Sequence, residues 1–211
     1  MTPEQKNYEN LSKTMIKKLE QRAFTAEYAP TASDALEAAK AFIKPGMTFS
    51  TGGSMTLTEL GLQDALTSMG AEFIDYRSPK TPEEKAAAIA RVSCCDCYFL
   101  STNAITQDGI LVNIDGLGNR MSALIYGPKK VVIIASMNKV CRDLESAYQR
   151  IKTTVAPRNA VRLNKKTPCA VTGVCADCKS PDCICNYIVV TRRSGIAQRI
   201  HIILCGEELG Y

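Results

Sequence analysis

Asn103-Ala-Ile-Thr-Gln-Asp-Gly-Ile-Leu-Val-Asn-Ile-Asp-Gly-Leu-Gly-Asn-Arg120 is the stretch on which the reading of this chain turns. Asp108-Gly109 divides two apolar runs, Tyr98 to Thr106 and Ile110 to Ile114. An Asp-Gly pair so flanked is a strong short-range hairpin signal, because the central residues of the tight turn need positive φ. Asp115-Gly-Leu-Gly118 then breaks the second strand, and Asn119 is placed to cap a helix running through Tyr126. Gly127 suits the left-handed residue beyond that helix, and Pro128 stops it. A polar loop is thereby pinned between a strand end and a helix start, where small-molecule sites of α/β folds lie. The same Asn, Asp and Gly residues also make turns for their own sake, so here a binding loop and a plain turn stand level.

Upstream, Met47 to Ser50 reads as a short strand, followed by Thr51-Gly-Gly-Ser54 and a helix carrying Leu57, Leu60, Leu66 and Met69 at helical spacing. Thr56 and Glu59 stand in capping-box relation, so this helix is expected to begin just after the glycines. Unpaired N–H groups at such a start suit a phosphate or carboxylate. The loop lacks the Gly-Lys-Ser/Thr of a phosphate-binding loop and the Gly-x-Gly-x-x-Gly of a dinucleotide site. Nothing in the chain signals a flavin or nicotinamide.

Further elements alternate. Helices are expected over 4–23, after Tyr28-Ala-Pro-Thr31, from Thr81-Pro-Glu-Glu84, and through Val140, Leu144, Ala147, Tyr148 and Ile151. Strands are expected at Glu72 to Asp75, at Lys130 to Ala135, and at Asn186 to Thr191 and Arg199 to Leu204, the last two joined by a Ser194-Gly195 turn. The unbroken apolar run Lys130-Val-Val-Ile-Ile-Ala135 fits a strand covered on both faces. The class is therefore α/β, a mostly parallel sheet flanked by helices, with an antiparallel hairpin near residue 108. Residues 1–25 form an N-terminal helical extension that docks loosely or offers a partner surface. Residues 26–211 form a single α/β domain with a Cys-rich loop, 168–185, before the last two strands.

A net charge of +5, spread along the chain, gives no clustered basic patch for nucleic acid. No apolar run reaches a membrane span, and the N-terminus has no hydrophobic signal core, so a cytoplasmic location is expected. The ten cysteines are read as reduced, and clustered ones as metal-binding or redox-active. A single histidine, His201, leaves no multi-His metal site. Cys94, Cys95 and Cys97 lack the spacing of a ligand set and are read as structural thiols.

Cys169, Cys175, Cys178, Cys183 and Cys185 crowd into the loop before Asn186. Cys175-x-x-Cys178 lets two sulfurs face one ion, and five thiolates hold tetrahedral zinc or an iron–sulfur cluster with one to spare. A reduced loop without metal is the plainer alternative.

Gly52-Gly-Ser-Met-Thr56, Asn103-Ala-Ile-Thr106, Asp108-Gly109, Asn113 to Arg120, Tyr126-Gly-Pro-Lys-Lys130, Asn138-Lys139 and the closing Cys205-Gly-Glu-Glu-Leu-Gly-Tyr211 resemble the LUD family of lactate-utilisation proteins, in its short cysteine-containing branch. The resemblance implies a fold like the sugar-isomerase, CoA-transferase and formyltetrahydrofolate cyclo-ligase group. It also implies a bacterial role linked to oxidation of lactate to pyruvate. It selects Cys169, Cys175, Cys178 and Cys185 as metal ligands, with Cys183 as an additional or alternative thiol. It places Gly52, Gly53, Ser54 and Thr56 on one wall of a pocket for a small anion, and Asn103, Thr106, Asn113, Asp115, Asn119 and Arg120 opposite. Within that pocket Arg120 clamps a carboxylate and Asp115 is a base, unless the two form a pair that only holds the loop. The expected partners are a small anionic metabolite and iron–sulfur proteins of a lactate-oxidising system, with self-association open. Three functions follow: a carboxylate- or phosphate-acting enzyme subunit, an iron–sulfur electron-transfer or assembly subunit, or a zinc-stapled scaffold.

Overall fold

The computed structural model describes residues 1–211. In chain order the elements are α1 (Pro3–Gln21), β1 (Thr25–Ala29), α2 (Ala32–Lys40), β2 (Thr48–Thr51), α3 (Met55–Glu59), α4 (Leu62–Ser68), β3 (Glu72–Phe73), α5 (Pro82–Ser93) and β4 (Cys97–Leu100). They continue with β5 (Ala104–Thr106), β6 (Leu111–Asp115), α6 (Asn119–Ile125), β7 (Lys130–Ser136), a 3-10 turn (Met137–Lys139), β8 (Val140–Cys141) and α7 (Leu144–Arg150). A π-helical turn (Ile151–Val155), α8 (Ala156–Arg162), α9 (Pro168–Thr172), β9 (Tyr187–Thr191) and β10 (Ile200–Cys205) complete the chain.

Six strands form a wholly parallel sheet in the order β1-β10-β7-β4-β2-β3. Its centre is the continuous apolar run of β7, whose side chains divide between the faces with the period of two that a strand imposes. Val131, Ile133 and Ala135 pack with Met15, Leu19, Tyr98 and Leu124 on one face. Val132 and Ile134 pack with Phe49, Leu62, Leu66 and Phe99 on the other. The expected α/β class, a largely parallel sheet with helices on both faces, is what the chain builds.

A second sheet, β8-β5-β6-β9, stands beside the first. The hairpin expected at Asp108-Gly109 joins β5 to β6, with Ala104 opposite Val112 and Gly109 at φ +87°. β9 pairs antiparallel to β6, placing Asp115 opposite Tyr187. Ala104, Val112, Ile114, Ala147 and Ile151 form the core between this sheet and the α7–α8 segment.

Several expectations are corrected by the packing. Tyr98 to Thr106 is two strands, because the chain leaves the first sheet at Ser101-Thr102 and enters the second at Ala104. The Ser194-Gly195 connection carries the chain from one sheet to the other, since β9 and β10 belong to different sheets. β1 was not expected: it is a half-buried edge strand whose only partner is β10. α1 does not dock loosely, since Ser12, Met15 and Leu19 are fully buried against the sheet. Thr56 does not cap α3. Ser54 occupies that position without a side-chain cap, and the helix ends after five residues, before a left-handed Gly61. Gly118, not Asn119, is the cap residue of α6, which stops at Ile125. Val140 lies in β8 and not in a helix. Thr31, one of two candidate caps with Ser33, caps α2, and Thr81 caps α5, each in a full capping box. No helix is long and apolar enough to cross a membrane.

Candidate functional site

A cavity of about 670 Å³ opens beyond the C-terminal ends of β2, β3, β4 and β7, the edge at which a parallel sheet leaves room for a ligand. The two loops singled out in the sequence meet there. Gly53, Ser54 and Thr56 supply one wall, and Asn103, Asp115, Asn119 and Arg120 the facing one. Arg77, Lys85, Lys139, Arg162 and Lys165 join Arg120 around the space, against only Asp115 and Asp182. Six basic side chains and two carboxylates give the cavity a positive lining.

Arg120 is held from several directions. Its Nε donates to Asp115 Oδ2 at 3.4 Å, and its Nη2 donates to Asn103 Oδ1 at 3.3 Å and to the Ile114 carbonyl. Asp115 in turn accepts the N–H groups of Leu117 (3.0 Å) and Gly118 (2.8 Å) on Oδ1, shaping the turn before α6. These bonds make Asp115 a holder of the loop and of the guanidinium.

Three of the expected site residues do not line the cavity. Gly52 lies behind it: a Cβ there would stand 2.9 Å from Arg120 Cδ, so the glycine lets the arginine stem cross the backbone. Asn113 is fully buried in β6, its Oδ1 accepting the Asn103 N–H at 3.2 Å and its Nδ2 unpaired. Thr106 closes the far hairpin, accepting the Ile110 N–H at 2.9 Å.

Lys139 was not among the expected site residues. It ends the 3-10 turn after β7, is 2% exposed, and donates from Nζ to Thr56 Oγ1 at 2.6 Å and Ser101 Oγ at 3.0 Å. Burial, reinforced by the nearby Arg150 charge, lowers its pKa to about 7. The available signal was a single charged residue between Met137 and Val140 directly after the apolar β7 run, but its partners at 56 and 101 are distant in sequence. Arg150 braces the same region, donating from Nη1 to the Asn103 carbonyl at 2.8 Å and from Nε to that of Asn138 at 3.3 Å.

The far side of the cavity comes from later elements. The π-helical turn, in which the Ala156 N–H reaches back to the Ile151 carbonyl, leads into α8, and Val155, Asn159 and Arg162 face the space. Tyr211 closes the rim, its hydroxyl meeting Asn159 Oδ1 at 3.3 Å. Pro181, Asp182, Cys183, Ile184 and Asn186 bring the cysteine loop to the same cavity, and Asn186 Nδ2 anchors it by donating to the Gly116 carbonyl at 2.9 Å.

Within that loop Cys169 is buried at the start of α9, while Cys175, Cys178, Cys183 and Cys185 are half-buried. Burial pushes the Cys185 thiol up to about 12, and Cys183, Cys175 and Cys169 add to the shift. Five thiols in one loop are chemically suited to a soft metal, although no three potential ligands converge on one point as the loop stands. His201 lies elsewhere, between Thr25 Oγ1 (2.7 Å) and Glu27 Oε1 (2.9 Å) across the β1–β10 pair. Cys95 and Cys97 are buried structural thiols, and Cys94 is exposed.

The sequence model of the LUD domain matches residues 12–205. Among solved structures, a DUF162 family protein from Deinococcus radiodurans is similar over 96% of this chain and 98% of that one, at 13% identity and a TM-score of 0.51. Ribose 5-phosphate isomerase from Plasmodium falciparum matches 53% of this chain and 52% of its own at 19% identity, with a TM-score of 0.35. The eIF2B delta subunit from Chaetomium thermophilum matches 54% and 49% at 19% identity, with a TM-score of 0.38. No curated protein matches the sequence.

Proposed function

From the membership of this chain in the LUD-domain family, we propose that it serves bacterial lactate utilisation by binding a small anionic metabolite between the Gly52-Gly53 loop and the Asn113–Arg120 loop. The observation that carries this reading is the excess of five cations, Arg77, Lys85, Arg120, Arg162 and Lys165, over two carboxylates around one cavity, with Lys139 set aside. Arg120, fixed on one edge by Asp115 and Asn103, is the clamp for a carboxylate. The Ser54 hydroxyl, which makes no helix cap, is free to donate to the ligand, and Asn119 stands opposite. Of the two roles expected for Asp115, its hydrogen bonds favour the holder of Arg120 over the base. The reading is tested by titration calorimetry with lactate, pyruvate and ribose 5-phosphate. Saturable binding by at least one, weakened tenfold or more by Arg120→Ala, supports it; no binding by any of them, or binding indifferent to that substitution, ends it.

A second reading concerns the cysteine loop and is favoured by the five thiols that it gathers between Cys169 and Cys185. Cys169, Cys175, Cys178 and Cys185, with Cys183 as the alternative fourth ligand, would hold zinc or an iron–sulfur cluster. Zinc would supply a structural staple, and a cluster would supply one-electron transfer to iron–sulfur partners. Metal and acid-labile sulfide analysis of anaerobically purified protein separates these, and metal-free protein with all five thiols titratable removes both.

A further inference from the structure

Lys139 is the least exposed of the cations around the cavity, and its surroundings do not suit an ammonium ion. Its two hydrogen-bond partners, Thr56 and Ser101, are neutral hydroxyls. No carboxylate lies within ion-pair distance of Nζ. Glu59 of α3 is the acidic group that acts on it, and that carboxylate accepts the Gly210 N–H at 2.7 Å. Arg150 from α7 and Arg120 from α6 add positive potential. The Leu209–Tyr211 segment covers the amine on one side: a Cβ on Gly210, which sits at φ +62°, would stand 3.3 Å from Nζ and 2.6 Å from Thr56 Oγ1. A buried charge without a counter-ion is strongly disfavoured, so this lysine gives up its proton far more readily than an exposed one, and its remaining open side is the cavity. A desolvated lysine beside other cations is the arrangement that makes an amine nucleophilic.

We propose that Lys139 is a nucleophile that forms an imine with the carbonyl carbon of a small 2-oxo acid bound in this cavity, an inference that rests on the anion-binding reading above. The Nζ lone pair attacks the carbonyl carbon, and the C=O π electrons move to oxygen. Oxygen takes a proton and nitrogen gives one up, with the Thr56 and Ser101 hydroxyls placed to relay them. A second proton transfer to the carbinolamine hydroxyl releases one water as the C=N bond forms, and no electrons enter or leave. The ligand class follows from charge. A carboxylate next to the carbonyl lies toward Arg120, and once the imine takes up a proton, that carboxylate supplies the counter-ion Lys139 lacks. A simple aldehyde would leave the iminium as unpaired as the ammonium it replaces. The pKa of about 7 gives the reactive amine near neutrality, whereas an ordinary lysine, at about 10.4, has almost none.

The test is reductive trapping. The full chain is incubated with pyruvate and sodium cyanoborohydride at pH 7, and the adduct is located by intact-mass and peptide mass spectrometry. One reduced pyruvate adduct per chain is expected, on the peptide containing Lys139. It should be absent in Lys139→Met and formed at least tenfold more slowly in Ser101→Ala. Mapping on the wild-type protein decides the matter even if a variant fails to fold. Adducts scattered over exposed lysines, or none at all, overturn the proposal. Calorimetry of pyruvate, lactate and ribose 5-phosphate on the same sample tells the failures apart: binding of any of them without an adduct overturns the imine alone, and no binding by any of the three removes the anion reading with it.

Discussion

Lys139 has a consequence for stability as well as for chemistry. Its pKa is about 7 in the folded chain and about 10.4 when unfolded. Between those values the unfolded state binds more protons, so stability rises with pH, by at most about 1.4 kcal/mol per pH unit. Burial raises the thiols of Cys95, Cys97, Cys141, Cys185 and Cys205, which acts in the opposite sense. Their stabilisation is complete below an unfolded thiol value of about 8.5 and is lost as pH climbs above it. Urea unfolding should therefore show stability rising from pH 7 toward 8.5 and falling beyond. Lys139→Met should abolish the rise and keep the fall. Gly52 is a second residue with a definite expectation. Alanine there displaces the Arg120 stem from its 2.9 Å approach, so Gly52→Ala should weaken anion binding at least tenfold in calorimetry while leaving far-ultraviolet circular dichroism unchanged.

Arg199 joins a residue to an element. Buried just before β10, it donates to the carbonyls of Ala123 (2.9 Å), Leu124 (2.7 Å) and Pro128 (2.9 Å), satisfying the open end of α6. Arg199→Ala leaves those acceptors buried and unpaired, and should cost about 2–4 kcal/mol in urea unfolding. Because α6 carries Arg120 at its start, ligand affinity should fall as well. The elements differed in how plainly the sequence announced them. Asp108-Gly109 was legible because hairpin turns demand those residues, and β7 because a doubly covered strand admits only apolar side chains. β1 was hidden because a half-buried edge strand with Glu27 at its centre has no strong apolar pattern. Thr56 and Glu59 had the spacing of a capping box, yet tertiary partners claim both side chains: Lys139 and Leu209 for one, Gly210 for the other.

For the whole molecule, the two features most prominent in the sequence, the Asn103–Arg120 loop and the cysteine loop, prove to be neighbours around one cavity. Their nearness was not legible, because it depends on β9 pairing with β6 across 72 residues of chain at Asp115 and Tyr187. It implies that an anion in the cavity shields Cys183, which lines it, more than Cys178, which does not. Iodoacetamide labelling followed by peptide mass spectrometry should show Cys183 protected several-fold by saturating ligand and Cys178 labelled at its original rate. The cationic lining followed the same logic. Arg77, Lys85, Arg162 and Lys165 are scattered along the sequence and converge only once α5, α8 and the cysteine loop are in place.

The strand order also bears on how the chain acquires its structure during synthesis. β10 emerges from the ribosome after the nine other strands of these two sheets, yet it lies between β1 and β7, and it is the only partner β1 has. The register that joins Thr25 to His201 spans nearly the full chain, and contacts of such separation form slowly. A nascent chain arrested before Ile200 therefore holds β1 with its hydrogen-bonding edge unpaired and β7 with one flank bare. Such edges are templates for association. Pulse proteolysis of arrested chains should find the α1–β1 segment cleavable until β10 is released, and protected within the folding time afterwards. β1 is kept waiting for β10.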